Sequence, residues 1–290
     1  MTPSDAEPAE HLPDLAADAE RLARLVLEED GAVDLSTEVA GPGLEAGEGI
    51  IQFRKEGVLA GLTYADAVAR QGGCQVEWRA VQGQVVQRQE VGRIHGGRKA
   101  LLRVERPFLN LLQRASGIAT VTHRLVEALA GTGCTLLHTR KTAPGLRLFD
   151  VAAVHAGGGG IHRLDLSHTV MIKDNHWRLL DRQGRTLGDA LQLARARGAV
   201  ACQVEVENET QVRTACAAGA DRLLIDNQAP EVVRAWGTLA RSLRSGIQIE
   251  ATGGLTLANV REYARAGADY VSVGALTHSA PAADIALELD

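Results

Sequence analysis

The chain has 290 residues, 45% apolar and 23% charged, with a formal net charge of −5. That length can bury a sizeable core in one large domain or two ordinary ones. The acidic balance excludes a general nucleic-acid binder, which needs a basic face, so any anion site must be a local gathering of cations.

Residues 1–11 read as a disordered lead, acidic and Ala-rich, without the basic and apolar regions of a signal peptide. LAADAERLARLVLEED (15–30) has helical apolar spacing, and Gly31 ends it. GIIQFRKEGVLAG (49–61) and EWRAVQGQVVQRQEVGRI (77–94) alternate around glycine turns and predict antiparallel strands. LNLLQRASGIATVTHRLVEALA (109–130) predicts a long helix, with Gly117 a candidate interruption.

From Cys134 the rhythm changes. The strands TLLHT, TVMIK, AVACQVEV, DRLLID, IQIEAT and ADYVSVGA are separated by the helical stretches LRLFDVAAVHAGG, GDALQLARARG, ETQVRTACAAG, PEVVRAWGTLARSLRSG and TLANVREYARAG. Such alternation predicts parallel strands with crossover helices, in a βα-barrel or a doubly wound sheet. The expected organisation is an N-terminal α/β domain over 12–115 and a (β/α)-barrel domain over 116–275. The cysteines Cys74, Cys134, Cys202 and Cys216 form no CxxC pair. They lack zinc spacing and read as reduced thiols of a cytoplasmic protein. No apolar run reaches the ~18 residues of a membrane helix.

The six strands end in Thr139-Arg140-Lys141, Lys173-Asp174-Asn175-His176, Glu205 with Glu207, Asp226-Asn227, Glu250 with Thr252-Gly253-Gly254, and Val273-Gly274. Parallel strands bring their C-terminal ends to one mouth, where barrel enzymes do chemistry, so the barrel is the favoured alternative. A polar strand end is ordinary alone; six in succession, with Lys or Arg abutting apolar runs, are not. The glycine turns after the last two strands suit a phosphate, because backbone N–H groups can approach it closely. Arg140, Lys141, His162, Arg163 and Lys173 form a cationic set suited to carboxylate and phosphate oxygens. Gly157–Gly160 read as a loop with backbone freedom that delivers His162 and Arg163. Glu205 and Asp226 are open to three roles: acid and base, ribose hydroxyl acceptors, or oxygen ligands of Mg²⁺.

TRKTAPGLR, HR followed by IKDNH, VEVE, LLIDN, EATGG and VGALTHS, in this order, with DLST (34–37) and ERPFLNLLQRASGIAT (105–120), resemble the quinolinate phosphoribosyltransferase family over nearly the whole chain from about residue 20. One departure is Ile161, where the family usually has Asn. The resemblance implies an α/β sandwich-like N-terminal domain, an incomplete parallel barrel, and a C-terminal tail (276–290) returning to the first domain. It implies transfer of phosphoribosyl from phosphoribosyl pyrophosphate to quinolinate with loss of CO₂, with Mg²⁺ and no organic cofactor. It implies a homodimer in which Arg106 of one copy reaches the other's substrate. Arg140, Lys141, His162, Arg163 and Lys173, beside Thr139, would hold carboxylates and phosphates. Glu205 and Asp226 would take the ribose and its Mg²⁺; Thr252, Gly253, Gly254, Val273 and Gly274 would take the 5′-phosphate. The expected catalytic set is Lys141, Lys173, Glu205 and Asp226. The rival readings are another small anionic acceptor on the same fold, a barrel that binds phosphometabolites without turnover, and a Schiff-base aldolase on Lys173.

Overall fold

The structure is a computed structural model that describes residues 12–41 and 45–289. The expected lead, 1–11, lies outside the described residues. The first helices are α1 (Ala16–Glu29) and α2 (Leu35–Ala40). Asp14 accepts the Ala16 N–H at 3.0 Å, and α1 buries Ala19, Leu22 and Ala23. The DLST segment is a helix start: Asp34 caps α2 by accepting the Thr37 N–H, and Gly41 closes α2 at φ 63°.

Next come β1 (Ala46–Phe53), β2 (Gly57–Val58), α3 (Leu62–Gln71), β3 (Cys74–Trp78), β4 (Val85–Val86) and β5 (Gln89–Gly97). The helix α4 (Arg98–Leu129) follows, with Pro107 inside it, and the 115/116 position falls within it. Gly117 does not interrupt α4. A side chain there would collide with the Pro281 carbonyl, so glycine serves close packing at that point.

The C-terminal half supplies β6 (Thr135–Leu137), α5 (Arg147–Ala156), β7 (Thr169–Ile172), α6 (Asp174–Arg182), α7 (Leu187–Ala196), β8 (Ala201–Val206), α8 (Glu209–Ala217), β9 (Arg222–Asp226), α9 (Pro230–Leu243), β10 (Gln248–Thr252), α10 (Val260–Arg265), β11 (Tyr270–Ser272), α11 (Ala275–His278) and β12 (Ile285–Leu289).

Two compact units result. One comprises 12–123, 141–159 and the segment from 275 onward. Its antiparallel sheet has the order β12-β1-β5-β3, so the C-terminal tail returns as an edge strand on β1, with Phe53 opposite Ile285. Ile51, Phe53, Val91, Ile94, Val104, Phe108 and Leu112 are fully buried here, each worth about 1.5–3 kcal/mol of transfer free energy. The Phe149 ring of α5 meets Tyr64 of α3 edge-on at 4.8 Å.

The other unit comprises 124–140 and 160–274. Its six strands are all parallel, in the order β6-β11-β10-β9-β8-β7. β6 and β7 are the two edges, so the sheet is an open, incomplete barrel. Every residue of β8 is buried, as a strand covered on both faces requires. Two matching clasps hold the strand starts. Asp221 accepts the Cys202 N–H and pairs with Arg195; Asp269 accepts the Ile249 N–H and pairs with Arg241.

The glycine run is not a free loop. A side chain at Gly157 would collide with the Ala119 carbonyl, and Gly159 packs equally tightly against Val154 and Thr122. Gly158 has φ +89°, a conformation few other residues adopt. Gly160 forms a parallel bridge with Leu137, donating to the Leu136 carbonyl at 2.8 Å. The run docks Gly160 beside β6 and fixes where His162 begins.

Candidate active site

The strand order sets the order of side chains along the C-terminal rim of the open barrel. It runs Lys173 after β7, Glu205 in β8, Asp226 ending β9, Thr252-Gly253-Gly254 after β10, Val273-Gly274 after β11 and Thr139-Arg140 after β6. Twelve of the sequence-selected residues thus belong to one unit: these ten with His162 and Arg163. Lys141 and Arg106 belong to the other.

Lys173 is the N-cap residue of α6, with an extended backbone. A cation is unfavourable at a helix N-terminus, where capping favours Ser, Thr, Asp or Asn, so the lysine is not there for the helix. Its Nζ is ion-paired with Glu205. The Glu205 carbonyl accepts Trp177 Nε1–H at 2.9 Å, so both ends of this buried residue are held. Glu207 lies beyond the end of β8 and is exposed, so it does not share Glu205's place.

Asp226 is oriented by its neighbour. Asn227 donates from Nδ2 to Asp226 Oδ2 at 2.7 Å, and its backbone N–H donates to the Thr252 carbonyl at 2.9 Å. Asn227 is the one non-glycine residue with positive φ, 54°, among the described residues. Such strain persists where the surroundings hold a residue to a task. A side chain on Gly253, itself at φ +84°, would collide with the Asn227 amide. The TGG turn therefore packs directly on the carbon skeleton that orients Asp226. It does not lead straight into a helix, since α10 begins at Val260. Val273 is buried, and its N–H donates to the Leu137 carbonyl at 3.2 Å, which ties the β11 end to β6.

Arg140 keeps its Nε buried without a hydrogen-bond partner. A guanidinium with unsatisfied N–H capacity at a strand end suits an anionic oxygen. His162 and Glu250 are 7% and 1% exposed. His162 Nε2 stands 3.3 Å from Glu250 Oε2, which also accepts Arg222 NH1–H at 3.1 Å. Burial pushes the Glu250 carboxyl upward; His162, then Arg222 and a hydrogen bond from Ser272, reverse this and hold it at about 2. Arg163 donates from NH1 to the Thr169 carbonyl at 3.2 Å and lies 3.3 Å from Met171 Sδ, which lays it along β7.

In the other unit, the segment after Arg140 is held by an ion pair whose carboxylate is buried and whose guanidinium is partly exposed. Arg114 donates from Nε and NH2 to both oxygens of Asp150, at 2.9 and 2.8 Å. Asp150 also accepts the Ala143 N–H, and Arg114 reaches the Thr277 carbonyl, while the Thr277 hydroxyl donates to the Lys141 carbonyl. Burial outweighs Arg114 and pushes the Asp150 carboxyl above its ordinary value. Arg106 is exposed, with Glu105 3.8 Å away.

Arg222 and Asp150 are absent from the residues selected by sequence, and Asn227 and Glu250 enter there only as polar strand ends without a role. Arg222 and Glu250 did leave a signal, as charged residues inside the apolar strands RLLID and QIEAT.

Among the described residues no helix is long and apolar enough to cross a membrane. Residues 118–288 match the model of the quinolinate phosphoribosyl transferase C-terminal domain, and 34–116 that of the N-terminal domain. The chain is 37% identical over 271 residues to the probable nicotinate-nucleotide pyrophosphorylase [carboxylating] of Bacillus subtilis, covering 91% of this chain and 90% of that one. It is 38% identical over 241 residues to the Homo sapiens nicotinate-nucleotide pyrophosphorylase [carboxylating], covering 81% and 80%. The solved nicotinate-nucleotide pyrophosphorylase of Francisella tularensis superposes with a TM-score of 0.88 at 30% identity, covering 99% of this chain and 100% of that one. With both family domains matched in order and the open barrel and returning tail in place, the chain belongs to the quinolinate phosphoribosyltransferase family.

Proposed function

We propose that this chain transfers phosphoribosyl from phosphoribosyl pyrophosphate to quinolinate with decarboxylation, giving nicotinate mononucleotide, pyrophosphate and CO₂ in NAD biosynthesis. The observation that carries the reading is the rim: two carboxylates and two glycine turns lie there between cations, on six consecutive parallel strand ends. Both substrates are polyanions, and fixed cations offset their mutual repulsion.

In this reading Arg140, Lys141, Arg163 and Lys173 take carboxylate and pyrophosphate oxygens, beside Thr139 and His162. Glu205 and Asp226 accept from ribose hydroxyls, and Thr252, Gly253, Gly254, Val273 and Gly274 cradle the 5′-phosphate. The quinolinate ring nitrogen forms a bond to C1 of the ribose as the C1–O bond breaks, and that electron pair leaves with pyrophosphate. Charge separates between ribose and leaving group, and fixed cations stabilise the separation. The ring nitrogen, now cationic, is the electron sink for the next step. The bond to the adjacent carboxylate breaks, CO₂ leaves, its electron pair stays on the ring carbon, and that carbon takes up one proton.

The donor set fits Mg²⁺ brought in by the pyrophosphate. Among the described residues no three His, Cys, Asp or Glu side chains gather as a cage. Two carboxylates on neighbouring strands suit an ion that keeps water and phosphate oxygens for its other positions, and the ion would neutralise leaving-group charge. The active form in this reading is a homodimer in which Arg106 serves the second copy's rim. A cytoplasmic location agrees with the four free cysteines, whose thiols burial pushes up, Cys134 to about 12.

The test is incubation of the protein with Mg²⁺, phosphoribosyl pyrophosphate and carboxyl-labelled quinolinate. Equal yields of mononucleotide, pyrophosphate and CO₂ are expected. Mononucleotide formed only from nicotinate, without CO₂, would refute quinolinate as the acceptor.

A further inference from the structure

The inside of the open barrel holds charged groups that the proposed chemistry does not use. Arg222 lies at the start of β9. Its Nε donates to Gln248 Oε1 at 3.0 Å, and its guanidinium lies 3.9 Å from the centroid of the Tyr270 ring. Its NH1 donates to Glu250 Oε2. Arg222 and Glu250 are both nearly inaccessible, so this is a built interior feature rather than a solvated pair.

The next link is His162, which is held at three atoms. Its carbonyl accepts from His138 Nε2 at 3.1 Å. Its Nε2 faces Glu250 Oε2 at 3.3 Å. Its Nδ1 accepts the backbone N–H of Arg163 at 2.6 Å. A carboxylate can only accept, and a backbone N–H can only donate. The ring proton therefore belongs on Nε2, donated to Glu250, and Nδ1 is the bare acceptor. In a neutral imidazole the partner of one nitrogen decides the state of the other. With both nitrogens engaged, the ring fixes the peptide that carries Arg163.

We infer that Glu250 is a positioning residue: anchored by Arg222, it locks His162 in the Nε2–H tautomer, and His162 in turn fixes the backbone from which Arg163 meets the anionic acceptor. The inference rests on the proposed function for the identity of that acceptor. Arg222 supplies the immobile end of the chain, because it is clamped by Gln248 and Tyr270. The device gives the irregular segment between α5 and β7 the precision of a strand.

The experiment reads the tautomer and the binding separately, neither through turnover. Protein labelled with ¹⁵N-histidine is examined without substrate by long-range ¹H–¹⁵N correlation, with His162→Gln used to assign the signal. In the neutral ring the wild type should show bare Nδ1 and protonated Nε2; a neutral ring protonated on Nδ1 would overturn the inference. Quinolinate binding is then measured by calorimetry on the wild type, Glu250→Gln and Glu250→Ala. The glutamine oxygen still accepts from Nε2–H, so Glu250→Gln should keep the tautomer and bind within about threefold of wild type. Glu250→Ala should lose the single tautomer and bind at least tenfold more weakly. A Glu250→Ala protein that keeps the tautomer, or keeps full affinity, refutes the lock. Loss of affinity in Glu250→Gln with the tautomer intact refutes it too, since charge alone would then be the cause. A wild type with the expected tautomer that forms no mononucleotide defeats the functional reading while the lock stands.

Discussion

The Arg114–Asp150 pair, buried at its carboxylate, permits a sharp test of what holds the segment after Arg140. Asp150 is inaccessible to solvent and takes two hydrogen bonds from Arg114 and one from the Ala143 N–H. Replacing Asp150 by Ala leaves a guanidinium facing the place of its partner and a backbone N–H without its acceptor. Breaking a fully buried pair costs about 3–5 kcal/mol, an upper bound here because Arg114 stays partly open to water, and the orphaned N–H adds about 1–3 kcal/mol where water cannot reach it. Removing both charges, as Arg114→Met with Asp150→Ala, should recover much of the loss, because no unpaired charge remains. Urea unfolding of the wild type, both single variants and the double variant gives the coupling directly. A favourable coupling of about 2–3 kcal/mol is expected for a close, buried network. The pH dependence has a definite sign. Burial raises the Asp150 carboxyl above its ordinary 3.8, so the folded chain holds this proton more tightly than the unfolded one. Its contribution to stability is fullest below pH 3.8 and fades as pH rises through the folded value. Wild type should thus lose stability relative to Asp150→Asn as pH rises from 3.8. Additive single variants, or a wild-type advantage that grows with pH, would refute the reasoning.

Arg140→Ala should raise the KM for quinolinate about 10- to 100-fold, the equivalent of one charge-assisted contact of about 1.5–3 kcal/mol; an unchanged KM removes Arg140 from the carboxylate site. Arg106→Ala and Glu205→Gln should each be inactive alone, yet regain activity when mixed dimers form, and silent mixed dimers confirmed by mass would exclude a shared site. Glu250 is held at about 2 against an ordinary 4.5, so its contribution is full above pH 4.5 and is lost as pH falls toward 2; acid unfolding of Glu250→Gln should lack that limb, and parallel profiles would contradict it. Gly253→Ala, strained at positive φ and colliding with Asn227, should weaken phosphoribosyl pyrophosphate at least tenfold by KM while sparing quinolinate; equal effects on both substrates would place the turn elsewhere.

The parallel half was legible because each of its strands is buried on both faces and reads as a short apolar run between amphipathic helices. The N-terminal half was less so. Pro107 disguised the first turns of α4, since proline ordinarily opposes a helix interior, and the pattern was recognised only from Leu109. The helices α2 and α3 are short and lie between glycines, among segments whose alternation announced strands. Gly117 and Gly157–Gly160 misled in one way: glycine signals freedom in sequence, but here a neighbouring carbonyl or side chain occupies the room a Cβ would need. The rim residues were legible because strand ends are fixed by chain order. Arg222 and Glu250 needed the register. Gln248 opposes Arg222, and Glu250 opposes Leu224, which sets the two charges two residues apart on one face. Asn227 could be noticed in LLIDN, but its left-handed backbone and its hold on Asp226 are three-dimensional facts.

The Lys173–Glu205 pair decides between the two chemistries open to a lysine at a barrel strand end. A Schiff-base lysine must be neutral to attack a carbonyl, and it becomes so by desolvation away from carboxylates. Lys173 is the opposite case: it is partly exposed and ion-paired with Glu205. The backbone of Glu205 is fixed, because Trp177 Nε1–H donates to its carbonyl. The pair also explains how an acidic chain keeps cations at one rim without an anion bound. In the proposed reading Glu205 balances Lys173 in the free protein, and an incoming polyanion competes for the ammonium and releases the carboxylate toward ribose hydroxyls. In that reading one ion pair serves two substrate groups, which neither a nucleophilic amine nor a solvated strand end would do.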